Sequence, residues 1–237
     1  SHHTYKYDNG AFADMNLNGD IHSHNAFAFF PHLLKQFDPA NPENKENPQF
    51  KSWRNKAKTG AYLLAFGGGA PKLASTLGLS SKEGKVAYDN YWKTNAGLGK
   101  LKEAVEKYFD TVGKGKYIPA IDGRIVSVRG KNVLLSCLGQ GTGAIAMSYA
   151  SCLMDTWLGE FHLDGLGRPY YIYQGYVVKR ISHVHDEYSW EVEDGAQEVI
   201  RQMAEKAIVK AGELLKLSIP LAAEGKIAYN GTWKDVH

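Results

Sequence analysis

Ser182-His183-Val184-His185-Asp186-Glu187-Tyr188-Ser189-Trp190-Glu191-Val192 is the stretch on which the fold of this chain turns. Tyrosine, valine and isoleucine crowd the residues before it, from Tyr170 to Ile181. After it, Tyr188, Trp190 and Val192 alternate with Ser189 and Glu191. β-Branched and aromatic residues at period two mark half-buried strands. His185-Asp186-Glu187 is polar and poor in strand propensity, so a hairpin reverses there. Two strands then hold one carboxylate at a rigid tip, with a second beside it and an imidazole before it. Such a tip suits a metal-binding phosphoryl-transfer site. It equally describes a charged turn on a solvated sheet edge.

At 237 residues, 43% apolar and 22% charged, the chain suffices for one large domain or two small ones with a real core. A net charge of +3 permits nucleic-acid binding without arguing for it. Cys137 and Cys152 are the only cysteines, which supports neither a disulfide framework nor a cysteine zinc site. A reducing, cytoplasmic setting is the expectation. No uninterrupted apolar run approaches the ~18 residues of a membrane span, and no secretory leader is visible, so no membrane partner is expected. The chain opens on Ser1-His2-His3, without an initiator methionine.

Along the chain, Tyr5 to Asn9 reads as a helix end. Residues 11–30 carry apolar positions at helical spacing, broken by Asn18-Gly19-Asp20, with Asp20 as an N-cap. Residues 38–49 are a proline- and asparagine-rich insertion. A helix follows from about Gln49 to Phe66, stopped by Gly67-Gly68-Gly69. Short helices are predicted before Gly78, from Ser81 to Thr94 and from Leu98 to Val112. Asp122-Gly123 between Tyr117-Ile118-Pro119 and Ile125-Val126-Ser127-Val128 signals a hairpin. Leu134 to Phe161 reads as one long helix, where Gly139, Gly141 and Gly143 suggest a close approach or a local break. Asp194 caps an amphipathic helix carrying Val199, Ile200, Met203, Ala207, Ile208, Ala211, Leu214 and Leu215, and the tail from Lys226 to Val236 could add an edge strand. Helices first and a sheet-containing region second read as α+β with a helical subdomain.

A second signal lies on the helix from Gln49. Arg54, Lys58, Tyr62 and Phe66 recur every four residues, so each step drifts only ~40° and rises ~6 Å. One stripe presents a guanidinium, an ammonium and two aromatic rings, which matches a nucleoside triphosphate lying along the helix. An amphipathic helix with a basic end gives the same pattern.

Together these residues resemble family A DNA polymerases. Arg54-x3-Lys58-x3-Tyr62-x3-Phe66-Gly67 is similar to the fingers helix, motif B, and Val184-His185-Asp186-Glu187 to motif C. Gln140-Gly141-Thr142-Gly143 resembles the glutamine segment that contacts the primer–template minor groove, and Asp122-Gly123-Arg124 the segment before it. Asn18-Gly19-Asp20-Ile21-His22 and the ending through Gly225-Lys226, Asn230, Trp233 and a terminal histidine are most like the phage replicative branch. The order holds from residue 5 to 237.

The resemblance implies a helical fingers subdomain over residues 8–133 and a palm with a small antiparallel sheet over 134–237, with residues 1–7 as the palm junction. It implies roles for single residues. Asp186 is a ligand of two catalytic Mg2+ ions, with Glu187 tuning the site and His185 at the primer terminus. Arg54, Lys58 and His22 bind the dNTP triphosphate, and Lys58 is a candidate proton donor to pyrophosphate. Tyr62 occupies the position that governs dideoxynucleotide discrimination. Phe66 stacks near the template base, while Gln140 and Arg124 read the primer–template DNA through its minor groove.

Some residues depart from the family pattern. Phe66 stands where many members carry tyrosine, Ser136 stands where asparagine is expected, and the loop at 38–50 is longer. The second metal-binding aspartate, from motif A, is absent, as are thumb and exonuclease. The chain is therefore expected to be the C-terminal piece of a split polymerase, inactive alone and needing an N-terminal polypeptide that carries motif A and the thumb. A split intein with serine as its downstream residue is one route to such a piece. A metal phosphohydrolase, a single-subunit RNA polymerase fragment and a catalytically silent primer–template-binding piece are the alternatives.

Overall fold

Several helix starts in the computed structural model follow from side-chain caps within a few residues of them. The structure describes residues 1–229 and 231–236. Asn230, His237 and the side chain of Trp233, which belong to the phage-like ending, lie outside the described residues. The chain divides into two compact units, residues 1–120 with 124–139 and residues 121–123 with 140–237.

In the first unit α1 (Tyr5–Asp8), α2 (Ala11–Leu17) and α3 (Ile21–Phe29) follow one another. Asp20 caps α3 as expected, its carboxylate accepting from the backbone N–H of His22 and Ser23. The insertion holds one 3-10 turn, Pro42–Glu46. Asn47 then caps α4 (Pro48–Ala65) by accepting from Gln49 and Phe50. Ahead lie α5 (Ala70–Leu77), α6 (Ser81–Thr94), whose Ser80 and Glu83 form a full capping box, and α7 (Ala96–Asp110). Phe29, Phe30, Leu34, Phe50, Leu64 and Leu73 form the main core, and Phe29 stacks on Tyr91 at 5.3 Å. Each such side chain contributes roughly 1.5–3 kcal/mol by leaving water. A smaller core of Phe109, Ile118, Val128 and Leu134 closes the unit over β1 (Tyr117–Pro119) and β2 (Ile125–Ser127). These strands pair antiparallel, with Asp122-Gly123 inside the loop that joins them.

α8 (Leu134–Leu158) runs unbroken through its three glycines. A Cβ added at Gly139, Gly141 or Gly143 would meet no described atom within 4 Å, so no part of the described chain makes the close approach they suggested. Residues 131–158 are also long and apolar enough, by length and composition alone, to cross a membrane. Counting uninterrupted apolar residues missed this, because glycine, serine and threonine punctuate the stretch. Ala150, Met154 and Leu158 of α8 pack into the second unit's own core.

That core lies against a four-stranded antiparallel sheet, in the order β3 (Phe161–Leu163), β4 (Pro169–Tyr173), β5 (Tyr176–Val184), β6 (Glu187–Val192). The run from Tyr170 to Ile181 is thus two strands rather than one. Gln174 and Gly175 both take positive φ, 51° and 91°, the backbone of a two-residue hairpin turn. α9 (Gln197–Leu214) buries Ile200, Ala207 and Ala211 but leaves Val199 and Leu214 exposed. Its cap is Ala196, not Asp194, whose carboxylate instead accepts from the side chain of Gln197 at 2.7 Å. The expected tail strand does not form among the described residues. The last described element is α10 (Trp233–Val236).

Candidate functional site

The fingers-like stripe forms because α4 commits its opposite face to the core. Phe50, Ala57, Gly60 and Leu64 are buried, which leaves Lys58 exposed and Tyr62 and Phe66 each 51% exposed. Arg54 is different, since it is half-buried and held by Asp20. Its Nε donates to Asp20 Oδ2 at 2.8 Å and its Nη2 to Oδ1 at 3.0 Å. The same carboxylate accepts from His22 N and Ser23 N, both at 3.1 Å, and from Ser23 Oγ at 2.7 Å. Burial raises the Asp20 pKa, but the hydrogen bonds from Arg54 and Ser23 outweigh it and hold the carboxyl well below the usual range. Two of Arg54's five N–H groups are engaged there, leaving three for a ligand.

His22 sits at the start of α3 beside this pair, its ring centroid 6.3 Å from that of Tyr62. Burial first, then the charges of Arg54 and Lys58, lower its pKa against the opposing pull of Asp20, so the imidazole is neutral at pH 7. Its Nδ1 is buried and has no hydrogen-bond partner, so a ligand would meet the ring at Nε2. One face of α3 and α4 thereby gathers His22, Arg54, Lys58 and Tyr62. Phe66 ends the row, where Gly67 turns the chain with φ of 86°. Arg124 is exposed at the end of the loop between β1 and β2. The Asp20–Arg54 pair was missed by sequence reading, which gave Asp20 a cap and a place in a family-like stretch but no side-chain partner.

The second unit carries the hairpin. Val184 pairs with Glu187, so His185 and Asp186 make up the turn as the sequence suggested. His185 takes φ of 53°, a left-handed backbone that histidine adopts more readily than most residues. Asp186 is exposed and has no hydrogen bond or ion pair with any described residue, so both oxygens are open to a cation. Glu187 is half-buried, with Ser189 Oγ at 3.5 Å. A bulge between Arg180 and Ser182 turns the alternation over. Val178 and Arg180 lie opposite Val192 and Trp190, but beyond the bulge His183 lies opposite Tyr188, with their rings 4.8 Å apart.

Polar bonds pin this hairpin to α8. Arg180 donates to Ser151 Oγ and lies 3.5 Å from Asp155, Tyr171 donates to Asp155 at 2.7 Å, and Tyr188 donates to the Met147 carbonyl. Burial pushes both phenols up to about 12. Sequence reading assigned nothing to this network. Gln140 is exposed on α8 in the same unit.

A hard divalent cation takes six or more oxygens, and Asp186 offers one carboxylate. No group of three or more His, Cys, Asp or Glu among the described residues could hold a metal. Asp186 alone can supply one carboxylate to such a cation, so the other ligands would have to come from outside the described residues.

The sequence model of DNA polymerase family A matches residues 8–235. The chain is 26% identical to the DNA-directed DNA polymerase of Escherichia phage Phieco32, over 95% of this chain and 32% of that protein. It is 26% identical to that of Escherichia phage T7, over 100% and 31%, and 25% identical to DNA polymerase I of Pseudomonas aeruginosa, over 78% and 19%. It therefore spans about a third or less of the length of these relatives. Its fold is similar to the POL domain of Pol1 from M. smegmatis, solved in complex with DNA primer-template and dNTP, with a TM-score of 0.64 at 22% identity, covering 89% of this chain and 35% of that one.

Proposed function

We propose that this chain, which belongs to DNA polymerase family A, forms the nucleotide-binding fingers and the motif C hairpin of a template-directed DNA polymerase. The observation that carries this is the convergence of His22, Arg54, Lys58 and Tyr62 on one face of α3 and α4, one turn apart along α4. Arg54 and Lys58 hold the dNTP triphosphate with charge-assisted hydrogen bonds. His22, neutral, donates or accepts at Nε2. Tyr62 meets the sugar and base, and Phe66 stacks near the templating base. Lys58 is the candidate proton donor to the leaving pyrophosphate. Arg124 and Gln140 contact the minor groove of primer–template DNA, and His185 contacts the primer terminus.

Asp186, with Glu187 beside it, would hold Mg2+ together with a second carboxylate from sequence beyond these 237 residues. Bound there, two ions would lower the pKa of the primer 3′-hydroxyl and neutralise charge on the phosphates. A polypeptide carrying motif A and the thumb completes the enzyme, which works in the cytoplasm.

Asp186→Asn keeps the shape of the tip and removes its charge. Assembled with a polypeptide carrying motif A and thumb, the unsubstituted chain should extend a primer in Mg2+. Asp186→Asn should lower extension by at least about a hundredfold, on the scale of losing one electrostatic stabiliser, while retaining primer–template binding. Extension within about tenfold of the unsubstituted chain would remove the hairpin from the chemistry.

A further inference from the structure

The insertion between α3 and α4 plays no part in the roles above, yet it is a built element. Phe37 packs edge-on against Phe50 with ring centroids 5.2 Å apart. Asn44 is buried, and its Nδ2 donates to the Asp38 carbonyl at 2.7 Å. Asn41 Oδ1 accepts from Glu43 N at 2.9 Å, and Asn47 caps α4. These bonds fix the single 3-10 turn Pro42–Glu46 at the N-terminal end of α4. Lys45 stands on that turn and lines a cavity of about 440 Å³ whose walls include Asp20, His22 and Arg54.

The charges in that cavity do not cancel. Asp20 is neutralised by its two-point pairing with Arg54. The Lys45 ammonium makes no ion pair or hydrogen bond with any described residue, so the cavity carries one uncompensated ammonium beside the free N–H groups of Arg54. Along α4 the row runs from aromatic to cationic towards the N-terminus, Phe66, Tyr62, Lys58, Arg54, and Lys45, on the turn that precedes α4, shares the cavity with Arg54. A ligand with its base at Tyr62 and its phosphates at Lys58 and Arg54 would bring its outermost phosphate to Lys45. A lysine suits that position as a mobile point charge on a terminal phosphate.

We infer that Lys45 is a further binding residue for the polyphosphate end of the incoming nucleotide, a group that the pyrophosphate product shares. The inference rests on the nucleotide site proposed above. Calorimetric titration of the chain with dTTP, dTMP, inorganic tripolyphosphate and pyrophosphate tests it, using Lys45→Ala, Lys45→Arg and Lys58→Ala, each checked by thermal melting. Lys45→Ala should weaken dTTP and tripolyphosphate by roughly 3- to 10-fold, the scale of one partly solvated charge pair. It should leave dTMP unchanged, and Lys45→Arg should restore most of the loss. An equal loss for pyrophosphate extends the contact to the product, and a loss confined to the triphosphates assigns it to the outermost phosphate of the substrate. Unchanged affinities in Lys45→Ala beside weakened dTTP binding in Lys58→Ala would overturn the Lys45 assignment and leave the nucleotide site standing. No dTTP binding to the folded chain, or unchanged dTTP affinity in both variants, would overturn the nucleotide site and Lys45 with it.

Discussion

Asp20 caps α3 and orients Arg54 with the same carboxylate. The first task was legible in the sequence, because capping depends on residues two and three places away. The second was not, since Arg54 is 34 residues on and meets Asp20 only through the way α3 lies on α4. Gly67 repeats the lesson from the backbone side. A glycine stop after α4 was legible, but not why glycine is needed so strictly. At Gly67, φ is 86° and an added Cβ would fall 1.7 Å from the Asn132 carbonyl oxygen, whereas at Gly78, φ is 69° with open space around it. Left-handed backbone alone costs a residue with a Cβ about 1–2 kcal/mol, and a collision with backbone adds about 1–3 kcal/mol. Urea unfolding should therefore find Gly78→Ala destabilised by about 1 kcal/mol and Gly67→Ala by about 3 kcal/mol or more. Equal losses would mean that Asn132 moves aside freely.

Elements with an amphipathic repeat were legible nearly to the residue. α4 was expected from about Gln49 to Phe66 and runs from Pro48 to Ala65. The sheet was less so, because a run rich in tyrosine and valine looks the same whether it continues or folds back. Only Gln174-Gly175 marked the reversal, and a two-residue turn at positive φ is a weak signal beside so many β-formers. The bulge at β5 leaves no trace in the alternation of β6, yet it decides which residue lies opposite Tyr188. The anchoring of these strands to α8 was likewise invisible, resting on Asp155, Tyr171 and Arg180 at separations of 16 and 25 residues. Tyr171→Phe removes the hydroxyl that donates to Asp155 at 2.7 Å and leaves the ring in the core. It should cost about 1 kcal/mol in chemical denaturation. Asp155→Ala strips acceptors from both Tyr171 and Arg180 and should cost about 2–3 kcal/mol. A Tyr171→Phe loss equal to that of Asp155→Ala would show that Arg180 contributes nothing to the tie.

At the scale of the chain, the order of short motifs carried the family assignment, since the stripe at 54–66 and the hairpin at 182–192 each had an ordinary structural explanation alone. The helical pattern before residue 116 and the strands between residues 160 and 192 were legible as separate apolar patterns. The surface that this fold leaves bare was harder to foresee. In the second unit Phe161, Leu163, Leu166, Ile181 and Val184 are all more than half exposed. Scattered apolar residues are ordinary on a surface, but five large ones in a sheet region of this size favour association. The chain on its own should bind the dye ANS and show sedimentation coefficients that rise with concentration across the micromolar range. Replacing Phe161 and Leu163 with threonine, which keeps strand propensity and lowers apolar area, should reduce both effects without lowering the melting temperature. If these two side chains instead stabilise the sheet, the melting temperature falls and the association is unchanged, and the exposed rings then belong to the fold of β3 rather than to a contact surface.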